Sequence, residues 1–181
     1  LRKSSLFPTL CFLLLPLTLY SQENHLDASR MGERFSFTME VAAAPESEIL
    51  DALREGMRSE VEYRVQLYRE TEGIWRFFGD RLIEEYETHH IAYFDPFTRS
   101  YKLVASGAFS AGEQSFEDPQ AFLQAFLSIK SAPVVLPSEG SDYWIRGRAI
   151  VRPVRVAPPL GLIGVFLPSQ RHGTAWASVE L

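Results

Sequence analysis

Thiols are almost missing from this chain: Cys11 is the only cysteine in 181 residues, and it lies between Leu10 and Phe12 in an apolar run near the N-terminus. Thiol catalysis and a disulfide framework are therefore excluded for everything beyond that run, and the fold has to rest on packing alone. Basic residues are also in short supply. With 18 Lys plus Arg against 23 Asp plus Glu there is no broad positive field, which argues against nucleic acid as a partner. The four histidines, His25, His89, His90 and His172, have no helical metal-ligand spacing. Adjacent residues on a strand point to opposite faces, so His89 and His90 cannot share an ion. No Gly-rich phosphate loop, nucleophile elbow or zinc signature occurs. Glu84, Glu85 and Glu87 beside Tyr86 read as a solvated face, because no acid partner for them is evident. No metal, cofactor or catalytic residue is expected, and the chain does not read as an enzyme.

What is present is a globular composition, 46% hydrophobic and 23% charged, long enough to bury a sizeable core. Residues 1–21 read as a secretory signal peptide. Arg2 and Lys3 precede an apolar stretch from Leu6 to Tyr20, which is followed by Ser21 and polar Gln22-Glu23-Asn24. The stretch is short for a bilayer span and is interrupted by Pro8 and Pro16, so the expectation is export to the periplasm or cell envelope with cleavage after Ser21. The alternative is an uncleaved N-terminal membrane anchor. Residues 22–33 read as a polar linker, and 34–181 as a single β-rich domain.

Periodicity carries the fold. Phe35, Phe37, Met39 and Val41 alternate with polar residues, as do Val61, Tyr63, Val65 and Leu67; both segments predict half-buried strands. Between them, Ser47 is expected to cap a short helix with Ile49, Leu50, Leu53 and Met57 on its apolar face and Gly56 as its stop. The IWRFF run between Gly73 and Gly79 stays open as strand end, turn or helical turn. For residues 74–87 a strand is preferred to a helix. Asp95-Pro96-Phe97-Thr98 predicts a hairpin turn between arms at about 82–94 and 99–106, and a loop follows at FSAGEQS. Ser115 with Asp118 resembles a capping box ahead of a second helix striped with Phe122, Ala125, Phe126 and Ile129. These elements add up to a mainly β fold: an antiparallel β-sandwich of about six or seven strands with two short helices.

Two segments are candidates for an interaction surface. On the proposed strand YWIRGRAIVRPVR, Arg146, Arg148 and Arg152 share one parity and Arg155 follows Pro153. They read either as a solvated edge face or as a docking patch for an acidic partner or a membrane surface. LGLIGVFL, with Leu162, Ile163 and Phe166, reads either as a buried strand or as an exposed apolar lip.

The order of features is similar to that of a bacterial exported family, domain of unknown function 4390. Those features are the leader, LREGM before EVEYRVQLYRE, the YFDPFTRSYKL hairpin, the SFEDPQAFLQAF helix, the YWIRGRAIV strand, the PPLGLIG segment and a terminal Trp. The most specific piece is Tyr93, Asp95, Thr98 and Tyr101 in a Tyr-x-Asp-x-x-Thr-x-x-Tyr pattern, and the resemblance covers about residues 33–181. Ala157-Pro158-Pro159 departs from the Leu-Pro that tends to end the arginine strand. The resemblance implies a small envelope-facing β-rich domain and a link to sensor kinases in some bacteria. It assigns no catalytic residues. Taken together, the expected function is a non-enzymatic envelope interaction module, with a carrier of a lipid or other hydrophobic ligand as the alternative.

Overall fold

The computed structural model describes residues 24–71, 73–137, 142–155 and 172–181. Its elements in chain order are β1 (Asn24–Met31), β2 (Arg34–Val41), α1 (Glu46–Arg54), β3 (Arg58–Arg69), a 3-10 turn (Gly73–Phe78), β4 (Arg81–Asp95), β5 (Ser100–Gly107), β6 (Gly112–Phe116), α2 (Pro119–Phe126), β7 (Ser128–Lys130), β8 (Val134–Val135), β9 (Tyr143–Arg155), β10 (His172–Gly173) and β11 (Ala177–Glu180). Four strands form one sheet in the order β1-β2-β7, with β8 also on β2. Seven form the other in the order β10-β9-β3-β4-β5-β6, with β11 also on β9. All the pairings are antiparallel. The mainly β sandwich with two short helices is the fold the alternating patterns called for, with eleven strands among the described residues against the six or seven expected, the additional ones mostly short.

The alternation places Phe35, Phe37 and Met39 of β2 against Val61, Tyr63, Val65 and Leu67 of β3 and Ile145, Ala149 and Val151 of β9, all buried. The sheets come close where β9 carries Gly147: a Cβ there would lie 2.6 Å from the Met39 sulfur. Rings close the gap between sheets and helices. Phe122 of α2 stacks on Tyr101 at 5.0 Å and on Phe126 at 5.4 Å, and Phe109 meets Phe37 edge-on at 4.9 Å. Each such pair adds to the area term because the ring quadrupoles are offset.

Several local expectations change. The polar segment expected as a linker at 22–33 contains β1, paired residue for residue with β2 from Asn24↔Val41 to Met31↔Arg34. Only Leu26 of β1 is buried, so its hydrophobic alternation is too weak to announce a strand; pairing with β2 supplies what periodicity does not. Ser47 lies inside α1 and the N-cap is Pro45, with no side-chain cap. Gly56, at φ +82°, does end that helix as expected. Ser115 belongs to β6, which occupies much of the expected loop, and Asp118 caps α2 by accepting from Gln120 N at 3.3 Å and Ala121 N at 2.9 Å. The hairpin stands where expected: Asp95 accepts from Phe97 N at 2.9 Å and from the Thr98 hydroxyl at 2.8 Å. Residues 73–78 form the 3-10 turn, and β4 begins at Arg81.

Candidate functional site

The outer face of the seven-stranded sheet gathers the charges that the alternation pushes away from the core. β3 contributes Glu60, Glu62, Arg64, Gln66 and Tyr68. Opposite them on β9 stand Arg152, Ile150, Arg148, Arg146 and Trp144. On the other flank β4 sets His89 against Glu62, Glu87 against Arg64 and Glu85 against Gln66.

β9 is not an edge strand. It lies between β3 on one side and β10 and β11 on the other, so its arginines occupy the middle of a sheet and find partners across the ladders. Arg152 reaches Glu62 at 2.9 Å and Glu60 at 3.4 Å. Arg64 reaches Glu87 at 2.7 Å and Glu62 at 3.2 Å, and its Nε lies 3.3 Å from Glu85, an ion pair without hydrogen-bond alignment. Burial pushes the Glu62 carboxyl up, but the Arg152 hydrogen bond and the charges of Arg152, Arg64 and His89 outweigh it. The net effect holds Glu62 below its usual range.

Arg146 and Arg148 differ from these two. Neither makes an ion pair among the described residues; both guanidinium groups lie on Trp176, at 4.6 and 4.7 Å from its ring centre. Arg146 also lies 4.9 Å from the Tyr68 ring, and Tyr68 stacks on Trp144 at 4.3 Å with the rings 8° apart. The result is a ladder running Trp144, Tyr68, Arg146, Trp176, Arg148. Hydrogen bonds pin it: Arg146 donates from Nε to Gln66 Oε1 at 2.8 Å and from Nη2 to the Tyr68 hydroxyl at 2.6 Å. The Trp144 indole donates to Asp80 at 2.8 Å. Arg148 Nε has no hydrogen-bond partner among the described residues. A guanidinium stacked on indole can still donate in its own plane to a planar anion such as a carboxylate. Arg146 already spends Nε and Nη2 on Gln66 and Tyr68, and the Arg148 Nε is buried, so that role falls to the Nη groups of Arg148.

Of the residues proposed from sequence, Arg146, Arg148 and Arg152 therefore share one face, with Arg152 neutralised by two glutamates. Arg155 pairs through its backbone with Arg58 at the far end of β9. Leu162, Ile163 and Phe166 lie outside the described residues. Tyr68, Trp144 and Trp176 were not singled out. Tyr68 shares the parity of Glu60 through Gln66, a readable signal, but Trp176 reaches Arg148 only through the β9–β11 register.

On the inner face, His90 is buried beneath α2. Its Nδ1 donates to the Phe126 carbonyl at 3.1 Å, and the Tyr63 hydroxyl donates to the same oxygen at 2.8 Å. Burial holds the His90 imidazole below its ordinary value, against the pull of that carbonyl. His89 points the other way, 3.4 Å from Glu60. Among the described residues no cluster of three or more His, Cys, Asp or Glu stands in metal-binding proximity, and no helix is long and apolar enough to cross a membrane.

Comparison with protein-family models matches residues 22–180 to Domain of unknown function (DUF4390). The chain belongs to this family. Its match starts ahead of β1, in line with a sandwich that begins at Asn24. No curated protein and no solved structure matches the chain.

Proposed function

We propose that this family member is exported and serves in the cell envelope as a non-enzymatic interaction module that docks an acidic segment of an envelope protein. The observation that carries the reading is the contrast on one face. Arg64 and Arg152 are saturated by glutamates, while Arg146 and Arg148 lie on Trp176 without a carboxylate among the described residues. Cations left unpaired beside paired ones are what electrostatic docking uses to set register and select a partner. The leader-like residues 1–21 support the export part of the proposal. A sensor kinase is one partner class that the family resemblance suggests.

The carrier reading receives less support. The space between the sheets is filled by Phe35, Phe37, Tyr63, Phe122 and Phe126, all fully buried, so a lipid chain would have to displace them.

The test uses immobilised chain and solubilised envelope. A single protein retained in stoichiometric amount by the natural chain and lost with Arg148→Glu, while Arg148→Met weakens it and both variants melt normally, is the expected result. Equal retention by all three sinks the docking surface. Native mass spectrometry of the same preparation should give bare protein, and a stoichiometric apolar adduct would move the carrier ahead. Intact mass after expression in an exporting host should correspond to cleavage after Ser21.

A further inference from the structure

A second surface lies at the tip of the β3–β4 hairpin, beyond the Trp144 end of the arginine ladder. The 3-10 turn Gly73–Phe78 leaves Ile74 83%, Phe77 98% and Phe78 84% exposed. Three large apolar side chains this bare on one turn are not the scattered surface hydrophobics of an ordinary monomer. The turn is held in place at its neck. Thr71 donates from its amide to Asp80 at 3.2 Å and from its hydroxyl to the Gly79 carbonyl at 3.0 Å, and the Trp144 indole fastens the other Asp80 oxygen at 2.8 Å. Gly73 at φ +65° and Gly79 at φ +80° make the two reversals that lift the turn off the hairpin. The fold thus spends hydrogen bonds and two glycines on holding apolar groups out in water.

Charge at the neck is equally specific. Arg69 and Arg81 are direct cross-strand partners, like charges facing each other, and neither forms an ion pair among the described residues. Like charges in that position are destabilising unless an anion sits between them. Glu70 flanks the neck and is exposed, and both oxygens of Asp80 are taken by Thr71 and Trp144. Leu82 and, at the end of β1, Met31 are further exposed apolar groups. Met31 belongs to this end of the sandwich because Arg30 beside it lies over Tyr143, the residue paired with Arg69.

We propose that this tip is a shallow lipid anchor: Ile74, Phe77 and Phe78 enter the acyl boundary of a phospholipid bilayer while Arg69 and Arg81 hold lipid phosphates. A bilayer fits better than a protein because the tip is convex. A protein partner needs a complementary pocket and a rim of contact on the order of 800 Å² per side, whereas lipid closes around a projection and supplies phosphate just above the apolar layer. Trp75 lies within the same turn in sequence and provides a probe.

The full chain carries its own N-terminal apolar run, so vesicle binding alone says nothing about the tip. The readout is quenching of Trp75 emission by brominated phosphatidylcholine, taken as the difference between the natural chain and Trp75→Phe. Trp75-dependent quenching that disappears with Trp75→Phe and falls severalfold with each of Ile74→Ser and Phe77→Ser is the expected result. Arg69→Gln with Arg81→Gln should weaken the Trp75 quenching without lowering the thermal midpoint. Identical quenching with and without Trp75, or unchanged Trp75 quenching when Ile74→Ser and Phe77→Ser are combined, overturns the proposal. So does lipid-free self-association that shields Trp75, which would assign the tip to a second copy of the chain.

Discussion

Arg64 and Arg148 stand directly opposite each other on the β3–β9 ladder. Two cations in that position repel, and the sheet resolves the conflict in two ways. Arg64 is drawn toward β4 by Glu85 and Glu87 and held by Glu62 on its own strand, and Arg148 is drawn toward β11 by the Trp176 ring. Separation of the two guanidinium groups onto different flanks leaves one neutralised and the other available. This asymmetry underlies the proposed docking surface.

Trp176→Ala should remove the ring that both Arg146 and Arg148 use. The expected cost is about 1–2 kcal/mol in urea unfolding. Arg148→Met should be neutral or slightly stabilising by the same measurement, because it removes one of two facing like charges and retains the stem. A large loss with Arg148→Met would make that arginine structural.

Arg152→Met should leave Glu60 and Glu62 side by side without their shared cation. Partial exposure softens the penalty, so about 1–2 kcal/mol is expected. High salt should narrow the difference between variant and natural chain, which chemical unfolding at two ionic strengths reads directly.

Acid should weaken the fold in two stages. His90 titrates below its ordinary 6.5 in the folded protein because burial disfavours the imidazolium. The unfolded chain therefore takes up a proton first, and stability begins to fall as pH drops below about 6.5. Glu62 also lies below its unfolded value of 4.5, so its contribution is complete above that value and is lost as pH falls through the folded one. Urea melts from about pH 8 to about pH 2.5 should show both stages. His90→Asn should flatten the first and spare the second.

Gly107→Ala and Gly147→Ala should differ sharply. At Gly107, φ is +127° and a Cβ would meet the Glu87 carbonyl oxygen and lie 2.7 Å from Thr88 Cα, backbone atoms that cannot withdraw. A loss of more than about 3 kcal/mol is expected. At Gly147 the obstacle is the Met39 sulfur, the end of a flexible side chain that can turn aside, and about 1–2 kcal/mol is expected. Thermal melts of the two variants decide the ranking.

Much of this architecture was legible in advance because burial on one face imposes a period of two. Phe35 to Val41 and Val61 to Leu67 announced β2 and β3, and the Asp95-Pro96-Phe97-Thr98 turn announced the hairpin through groups that bond within four residues. β1 escaped notice because it buries one residue, Leu26, and depends on β2 for the rest. The arginines of β9 were recognised as sharing a face, but an edge position was the wrong setting for them. Parity says which side chains point together, and says nothing of which strands lie on either side.

A β-rich sandwich, its two short helices and the alternation of core and polar faces follow from local periodicity and turn chemistry, and so are written in the residue order alone. That Arg146, Arg148 and Arg152 point the same way is written there too. That Arg152 is neutralised by Glu60 and Glu62 while Arg148 rests on Trp176 comes from the packing of the strands. Those pairings join residues some 30 to 90 positions apart through strand registers, and a register is set by how two faces bury together, not by any one segment. The same holds for the Gly73–Phe78 turn. Its composition permits a strand end, a turn or a helical turn, and its exposure follows from the neck that Thr71, Asp80 and Trp144 close around it.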